Sequence, residues 1–356
     1  MKIAQWIIGN LLLLVTALPF LQSDSRFVRI WDFPRPQIAV LLAAALIAAI
    51  ITFGFARWQA LLWEGLLALA LCYQLYRIHP YTTFSPVEAL GAKGESREGV
   101  DTVLRLLVAN VRQSNRDSAP VLRYIANLDP DLVLLVETDS WWAARLQSLR
   151  DVYANVVAQP QDDSYGMLLF SRLPLIEPRV RFLIDDYVPS IETGVRLRSG
   201  DVIDFHGVHP KPPPLHDTAE RDAELLIVGR RLRATPTPAI VAGDLNDVAW
   251  SDTTRLFQKV SGLLDPRIGR GLYSTYNADW PLLRWPLDHV FFARSFVLVE
   301  MQRLGHIGSD HFPFYIALSY RPDAPSAQAA PAPKTETLRR ARRVIKEGRQ
   351  KARGEE

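Results

Sequence analysis

Cysteine is almost missing from this chain: Cys72 is the single one among 356 residues. It lies in an apolar run, so neither a disulfide framework nor a thiolate metal cluster is available, which leaves the redox compartment open. Net charge is also scarce. The balance of +3 is small for a basic nucleic-acid binder, and the pI near 9.0 partly reflects a basic C-terminal tail. The N-terminal apolar stretch lacks a clear small-x-small cleavage site, which argues against a removed leader. What remains, 48% hydrophobic and 22% charged, suffices for a substantial soluble domain plus something else.

The something else is apolar. Three runs, 3–21, 38–55 and 60–76, approach the ~17–25 residues that cross a bilayer. Trp6, Trp31, Trp58 and Trp63 fall near their ends, where amphipathic rings favour the interface. We read residues 1–78 as a three-helix membrane anchor. Glu64 is the odd residue of the third run, expected as an interfacial carboxylate, with a buried functional acid as the alternative. Arg26, Arg29 and Arg35 between the first two runs outnumber Lys2 and Arg57 on the other side, which points to a cytoplasmic domain.

Residues 79–100, with Pro80, Pro86, Gly91, Gly94 and Gly99, read as a linker. From 101 to 320 short apolar runs alternate with amphipathic segments. Strands are expected over 103–109, 132–136, 152–157, 166–170, 180–184, 192–197, 202–208, 239–242, 290–292, 297–302 and 314–318. Helices are expected over 119–128, 141–149, 218–233 and 252–260. Such a mixture argues for an α/β domain of layered sheets flanked by helices. Residues 321–356 are a Pro/Ala-rich linker and a basic tail. Leu338, Val344 and Ile345 give that tail only a thin apolar stripe, so a solvated basic segment is expected, with contact to anionic headgroups or nucleic acid as the alternative.

Several strands end in a polar residue: Asn110, Glu137, His209, and Asp244 with Asn246, joined later by Asp288, Asp310 and His311. Each alone has an ordinary reading, a turn residue or a solvated strand end. Together they place oxygen donors and imidazoles on strand ends, where one sheet rim can gather distant residues into one cleft. Asn, Asp and Glu oxygens suit a hard cation such as Mg²⁺ or Mn²⁺. With no Ser or Cys nucleophile in the set, metal-assisted attack of water on a phosphate ester is the matching chemistry.

The order Asn110, Glu137, His209, Gly243-Asp-Leu-Asn246, Asp288 and Ser309-Asp-His-x-Pro313 resembles the endonuclease/exonuclease/phosphatase superfamily, the group that includes DNase I-like folds. Asn115, Asp129-Pro-Asp131, Tyr165-Gly-Met and His209-Pro-x-Pro-Pro213 resemble a membrane-anchored branch of it. The resemblance covers roughly 102–320. It implies a four-layered α/β sandwich of two mixed sheets and a divalent-metal phosphoesterase using Mg²⁺ or Mn²⁺. Glu137 would be the principal metal carboxylate, with Asn110 and Asp310 nearby. Asp244 would position or deprotonate water, and Asn246 would hold a phosphate oxygen. His311, backed by Asp288, would contact the phosphate or shuttle a proton, and His209 would serve the phosphate or leaving-group side. Val208 and Pro210 around the central His, and His289 after the late Asp, depart from the common pattern.

Three functions follow. The first is a membrane-anchored phosphoesterase acting on a phosphodiester, phosphomonoester or diphosphate, with the lipid bilayer as partner and a lipid-linked substrate in view. The second is a tethered nuclease acting on nucleic acid, its groove lined by Arg112, Arg116, Lys211 and Arg284. The third is a non-catalytic membrane scaffold. Resemblance to tethered phosphoesterases with outward-facing domains opposes the arginine count, and we lean to an extracytoplasmic domain.

Overall fold

The computed structural model describes residues 2–21, 23–54, 58–92, 102–213, 215–324 and 328–354. Arg57, counted above for orientation, and Gly94 and Gly99 of the linker lie outside these.

The chain begins with α1 (Lys2–Ala17), a short α2 (Arg26–Arg29), α3 (Arg35–Phe53) and α4 (Trp58–Ile78). The segments around α1, α3 and α4 are long and apolar enough to cross a membrane. They run up, down and up, as Gln5 of α1 bonding Thr52 of α3 and Gln74 of α4 bonding Thr16 require. Much of their surface is apolar and exposed, as with Ile51 and Leu69, while Leu42, Leu67 and Trp63 interlock inside. Glu64 is buried among the helices, and neither carboxylate oxygen has a hydrogen-bond partner among the described residues.

Two sheets follow. The first has the order β10 (Phe296–Arg303), β11 (Phe314–Tyr320), β1 (Val103–Asn110), β2 (Leu132–Val136), β4 (Met167–Ser171) and β3 (Asn155–Gln159). The second runs β5 (Leu175–Phe182), β6 (Pro189–Arg196), β7 (Val202–Val208), β8 (Ala239–Asp244) and β9 (Asp288–Phe292). Strand β2 is wholly apolar and β8 is so until its final Asp244, as expected of strands covered on both faces. Alternate residues of each strand therefore serve different layers. Leu134 and Val136 meet Phe205, Ile240 and Val290 between the sheets. Val133 and Leu135 pack outward on α5 (Ala119–Leu128) and α6 (Ser140–Arg145) through Val121, Ile125 and Trp142. On the far side Val241 and Phe291 meet α7 (Ala219–Ala234) and α8 (Asp252–Ser261). The result is the four-layered sandwich of two mixed sheets.

Helix α8 shows how local chemistry sets a boundary. The Ser251 hydroxyl accepts from the Thr254 amide at its start, and Gly262 ends it at φ 76°.

The basic tail departs from expectation. It forms α9 (Thr335–Ala352), which packs on α7 with Ala341, Ile345 and Gly348 buried. A Cβ on Gly348 would stand 2.4 Å from the Ala219 carbonyl and from Ala223 Cβ, so the helices meet through small residues rather than a wide apolar stripe. Residues 79–92 also lie against the domain, with Gly269 donating to the Pro80 carbonyl and Ala92 to that of Leu298.

Candidate active site

Each sheet contains one parallel pair, β1 with β2 and β7 with β8. Parallel neighbours end on the same rim, so Asn110 and Glu137 leave one sheet where His209 and Asp244 leave the other. Their antiparallel partners β11 and β9 begin on that rim, which brings in His311 and Asp288; Asp244 and Asp288 are register partners. Six residues spread over some two hundred positions thus converge because of strand direction alone.

The contacts are close. Asn110 Nδ2 donates to Glu137 Oε1 at 2.7 Å and to Asp244 Oδ2 at 3.0 Å, tying the two sheets together. Asp244 Oδ2 lies 3.5 Å from His311 Nε2 and 3.8 Å from His209 Nε2. The other His311 nitrogen, Nδ1, is 2.8 Å from Asp288 Oδ2. Asp288 is set by its amide donating to the Thr275 hydroxyl at 3.1 Å, and the His311 amide donates to Ser309 Oγ at 3.1 Å. Asn246 sits on the same loop as Asp244, its amide donating to Asp244 Oδ1 at 2.9 Å and its side chain to the Pro210 carbonyl.

The backbone is strained where these residues leave their strands. Arg112, Glu137 and Asn246 all have φ between 49° and 59°, unusual for residues with a Cβ and typical of functional sites. Gly243 has φ 143°, and a Cβ there would fall 1.9 Å from the Val208 carbonyl, so no other residue fits before Asp244.

Burial and charge set the protonation states. Burial pushes the Glu137 and Asp244 carboxyls above their ordinary value, and the nearby His311 only partly offsets this. Burial also disfavours a charged His311, but Asp288 and Asp244 outweigh it and raise this imidazole to about 10. His209 goes the other way: burial lowers it despite Asp244. At neutral pH one imidazole is therefore a cation and the other a neutral ring, a few ångströms apart across one carboxylate.

A model of the Endonuclease/Exonuclease/phosphatase family matches residues 107–311, more than half of the chain. The chain belongs to that family. It is accordingly a phosphate-ester hydrolase, in a family whose enzymes use divalent metals. No curated protein matches it. Among solved structures, TDP2 of D. rerio complexed with a single-strand DNA product is similar with a TM-score of 0.53 and 18% identity, over 62% of this chain and 100% of that one. The human Nocturnin catalytic domain with bound sulfate gives 0.51 and 18%, over 62% and 94%. An endonuclease/exonuclease/phosphatase from Beutenbergia cavernae gives 0.50 and 20%, over 62% and 72%. At these identities the likeness shows the fold.

Two places within the family's site have donors for a cation. The ligand-type atoms of Asp244, Asp288 and His311 lie within 4.8 Å of one another. Both His311 nitrogens already face carboxylates and the ring holds its proton, so it has no lone pair to offer there. The second place is Glu137, whose oxygens accept from Asn110 and the Gln113 amide. Asp310 is close enough to raise Glu137 through charge repulsion. A half-buried carboxylate beside a second one, with oxygen donors throughout, fits a hard cation. Asn110 turns its amide nitrogen to the carboxylates and its oxygen to the Arg112 amide, so it orients Glu137.

Some contributors were not foreseen. Tyr276 lies against His311 with ring centroids 4.9 Å apart, and Tyr165 against His209 at 5.8 Å. Arg221 of α7 grips the Asn246 carbonyl at 2.7 Å and so holds the Asp244 loop from behind. Nothing in the local pattern around Tyr276 or Arg221 marks them, because their partners are distant in sequence. His289, by contrast, is not in the cleft. It bonds Arg267 and the Asp247 carbonyl and stacks on Phe291.

Proposed function

We propose that the chain is a membrane-anchored, divalent-metal-dependent phosphoesterase that hydrolyses a phosphodiester, phosphomonoester or diphosphate. The supporting observation is Asp244 held between Asn110, His209 and His311, with His311 backed by Asp288 at 2.8 Å. Asp244, raised by burial, is suited to accept the proton of an attacking water. The water oxygen bonds to phosphorus, the P–O bond to the leaving group breaks, and the protonated His311 neutralises the phosphate or returns a proton to the departing oxygen. Neutral His209 and Asn246 face the phosphate from the other sheet. Glu137 and Asp310 would hold Mg²⁺ or Mn²⁺, with Asn110 orienting Glu137. When bound, that ion supplies charge neutralisation at the phosphoryl oxygens.

The apolar character of α1, α3 and α4 supports the membrane assignment, and the tethered resemblance supports an extracytoplasmic domain. Arg29 and Arg35 do not oppose it strongly, since both are buried against Asp32 rather than free. The nuclease reading loses support at its groove. Lys211 is paired with Asp185 and Glu220, and Arg116 with Asp139.

The test uses full-length protein in detergent with Mg²⁺ or Mn²⁺ and bis-p-nitrophenyl phosphate. Hydrolysis is expected, and Glu137→Ala or His311→Ala should lower it by about 10²–10⁴-fold. Full activity in either variant would sink the assignment.

A further inference from the structure

The helical anchor does not hang from the domain by a free tether. It is bolted to the rim that carries the active site. Trp250, four residues after Asn246, donates its indole N–H to the Asp32 carbonyl at 2.7 Å, and the Tyr81 hydroxyl donates to the carbonyl of Ala249. On one flank of the cleft, Arg26 bonds Asp217 and the Leu215 carbonyl, and Thr218 bonds the Asp24 carbonyl. On the other flank, the segment between Tyr276 and Trp285 reaches the start of α3. Gln37 Nε2 donates to the Leu282 carbonyl at 2.9 Å, the Trp285 indole to Gln37 Oε1 at 3.3 Å, and the Trp285 ring meets Phe33 edge-on at 5.9 Å.

Helix length fixes where that contact lies. Helix α3 has 19 residues, and at about 1.5 Å per residue it spans only about the hydrocarbon thickness of a bilayer. Its first turn, which includes Gln37, must then stand at the water–lipid boundary, and Leu282 with it. The segment is apolar at this level: Leu282 is 84% exposed, Trp280 65% and Leu283 44%. Phe20, Leu21 and Phe27, which leave α1 at the same end of the bundle, are exposed too. Trp and Leu on a water-exposed loop have no packing reason to be there, whereas an indole and two isobutyl groups favour the interface.

The same segment begins at the chemistry. Tyr276 lies against His311 and stacks on Trp285, and the Ala278 amide donates to the Asp310 carbonyl at 2.6 Å. Leu282 lies six positions after Tyr276, at most about 20 Å of extended chain. Arg284 lies over the Phe312 ring next to His311, and half-exposed Arg112 stands 3.8 Å from Asp279, so cationic groups border the path between boundary and site.

Resting on the phosphoesterase reading, we infer that the 277–285 segment inserts Trp280, Leu282 and Leu283 into the interface of the anchoring bilayer, and that the substrate is a phosphate carried by a lipid of that bilayer. The segment forms the membrane-side wall of the cleft, so a headgroup phosphate enters by lateral diffusion without leaving the lipid surface. A soluble ester needs no such wall.

The test takes the full-length protein reconstituted in phosphatidylglycerol/phosphatidylcholine vesicles. A spin label on Leu282→Cys in a Cys72→Ser background should be relaxed more by oxygen than by an aqueous nickel chelate; the reverse order overturns the insertion. The triple variant Trp280→Ser, Leu282→Ser, Leu283→Ser should keep hydrolysis of bis-p-nitrophenyl phosphate in detergent. It should lose roughly tenfold or more on lipid phosphates, presented in separate arms as phosphatidylglycerol and as a polyprenyl diphosphate in the same vesicles. Equal rates for wild type and triple variant in both lipid arms, or nicking of plasmid DNA in place of any lipid hydrolysis, overturn the substrate class. Absence of hydrolysis of the soluble ester by wild type strikes the phosphoesterase reading instead, while the spin label still reports on the wall.

Discussion

Behind the Asp244 loop, Arg29, Arg35 and Arg221 meet Asp32, Asp222 and Asp247, three cations against three carboxylates, nearly all buried. In front of the same loop, Glu137, Asp244, Asp288 and Asp310 share only His209 and His311. The rear cluster is buried, as are Asp244, Asp288, His209 and His311 of the front one, while Glu137 and Asp310 are partly exposed; both clusters join segments far apart in sequence. They differ in closure. The rear cluster completes its own charge, so removing one member strands another in a low-dielectric setting. The front cluster carries surplus carboxylate and compensates by keeping Glu137 and Asp244 hard to ionise and His311 protonated. A closed cluster serves structure, whereas a surplus of one sign leaves energy to be gained by a ligand of the other.

The largest effect is expected from opening the rear cluster. Arg221→Met leaves Asp222 and Asp247 without their guanidinium and frees the Asn246 carbonyl. Thermal unfolding in detergent should show a loss of about 3–5 kcal/mol, and an unchanged melting temperature would mean that the cluster is not the joint between the N-terminal helices and the α/β domain.

The front cluster should answer in the opposite sense. Without added metal, Glu137→Gln should melt at or above the wild-type temperature, because it removes a largely desolvated carboxylate that Asp310 repels. Saturating Mg²⁺ or Mn²⁺ should stabilise wild type by about 3 kcal/mol at a hundredfold excess over the dissociation constant. The variant should show little of that shift; an equal shift would move the cation elsewhere.

A smaller effect tests whether surplus charge matters away from the cleft. Glu224 of α7 is buried, and its Oε1 has no hydrogen-bond partner among the described residues. Burial, with Asp185 adding repulsion, pushes its carboxyl up to about 8. Unfolded, it ionises near 4.5, so between these values the folded state holds the extra proton and stability falls as pH rises through the window. Glu224→Gln should therefore be close to neutral at pH 4.5 and stabilising by roughly 4 kcal/mol at pH 8.5. Parallel stability curves for the two proteins would show that Glu224 ionises normally.

Much of this was legible beforehand. Strands β2 and β7 and helix α5 lie where the apolar patterns put them, because short runs bounded by turn residues leave little choice. Glu137 and Asp244 were visible as acids that terminate strands too apolar to need them. Helix α9 was hidden for a physical reason: it docks through Ala341 and Gly348, and close approach by small residues leaves no hydrophobic stripe to count. Tyr276 and Arg221 were hidden for another, since each acts on a residue at least 25 positions away. His289 sits beside Asp288 in sequence, yet adjacent residues of a strand point to opposite faces, and it belongs to the outer layer.

The sequence by itself determined most strands and helices, the apolar runs and the residue types at the rim, since those follow from periodicity and from chemistry that only certain side chains carry, while the four-layered arrangement was implied by the family resemblance. Only the tertiary structure decided which imidazole holds a proton, because that depends on whether Asp288 stands 2.8 Å away. It also decided that the N-terminal helices meet the rim that carries the candidate site rather than the opposite one. Strand direction brings the site to one edge, and the contacts of Asp32 and Gln37 bring the helices to that same edge, a coincidence of three-dimensional packing that no stretch of sequence contains.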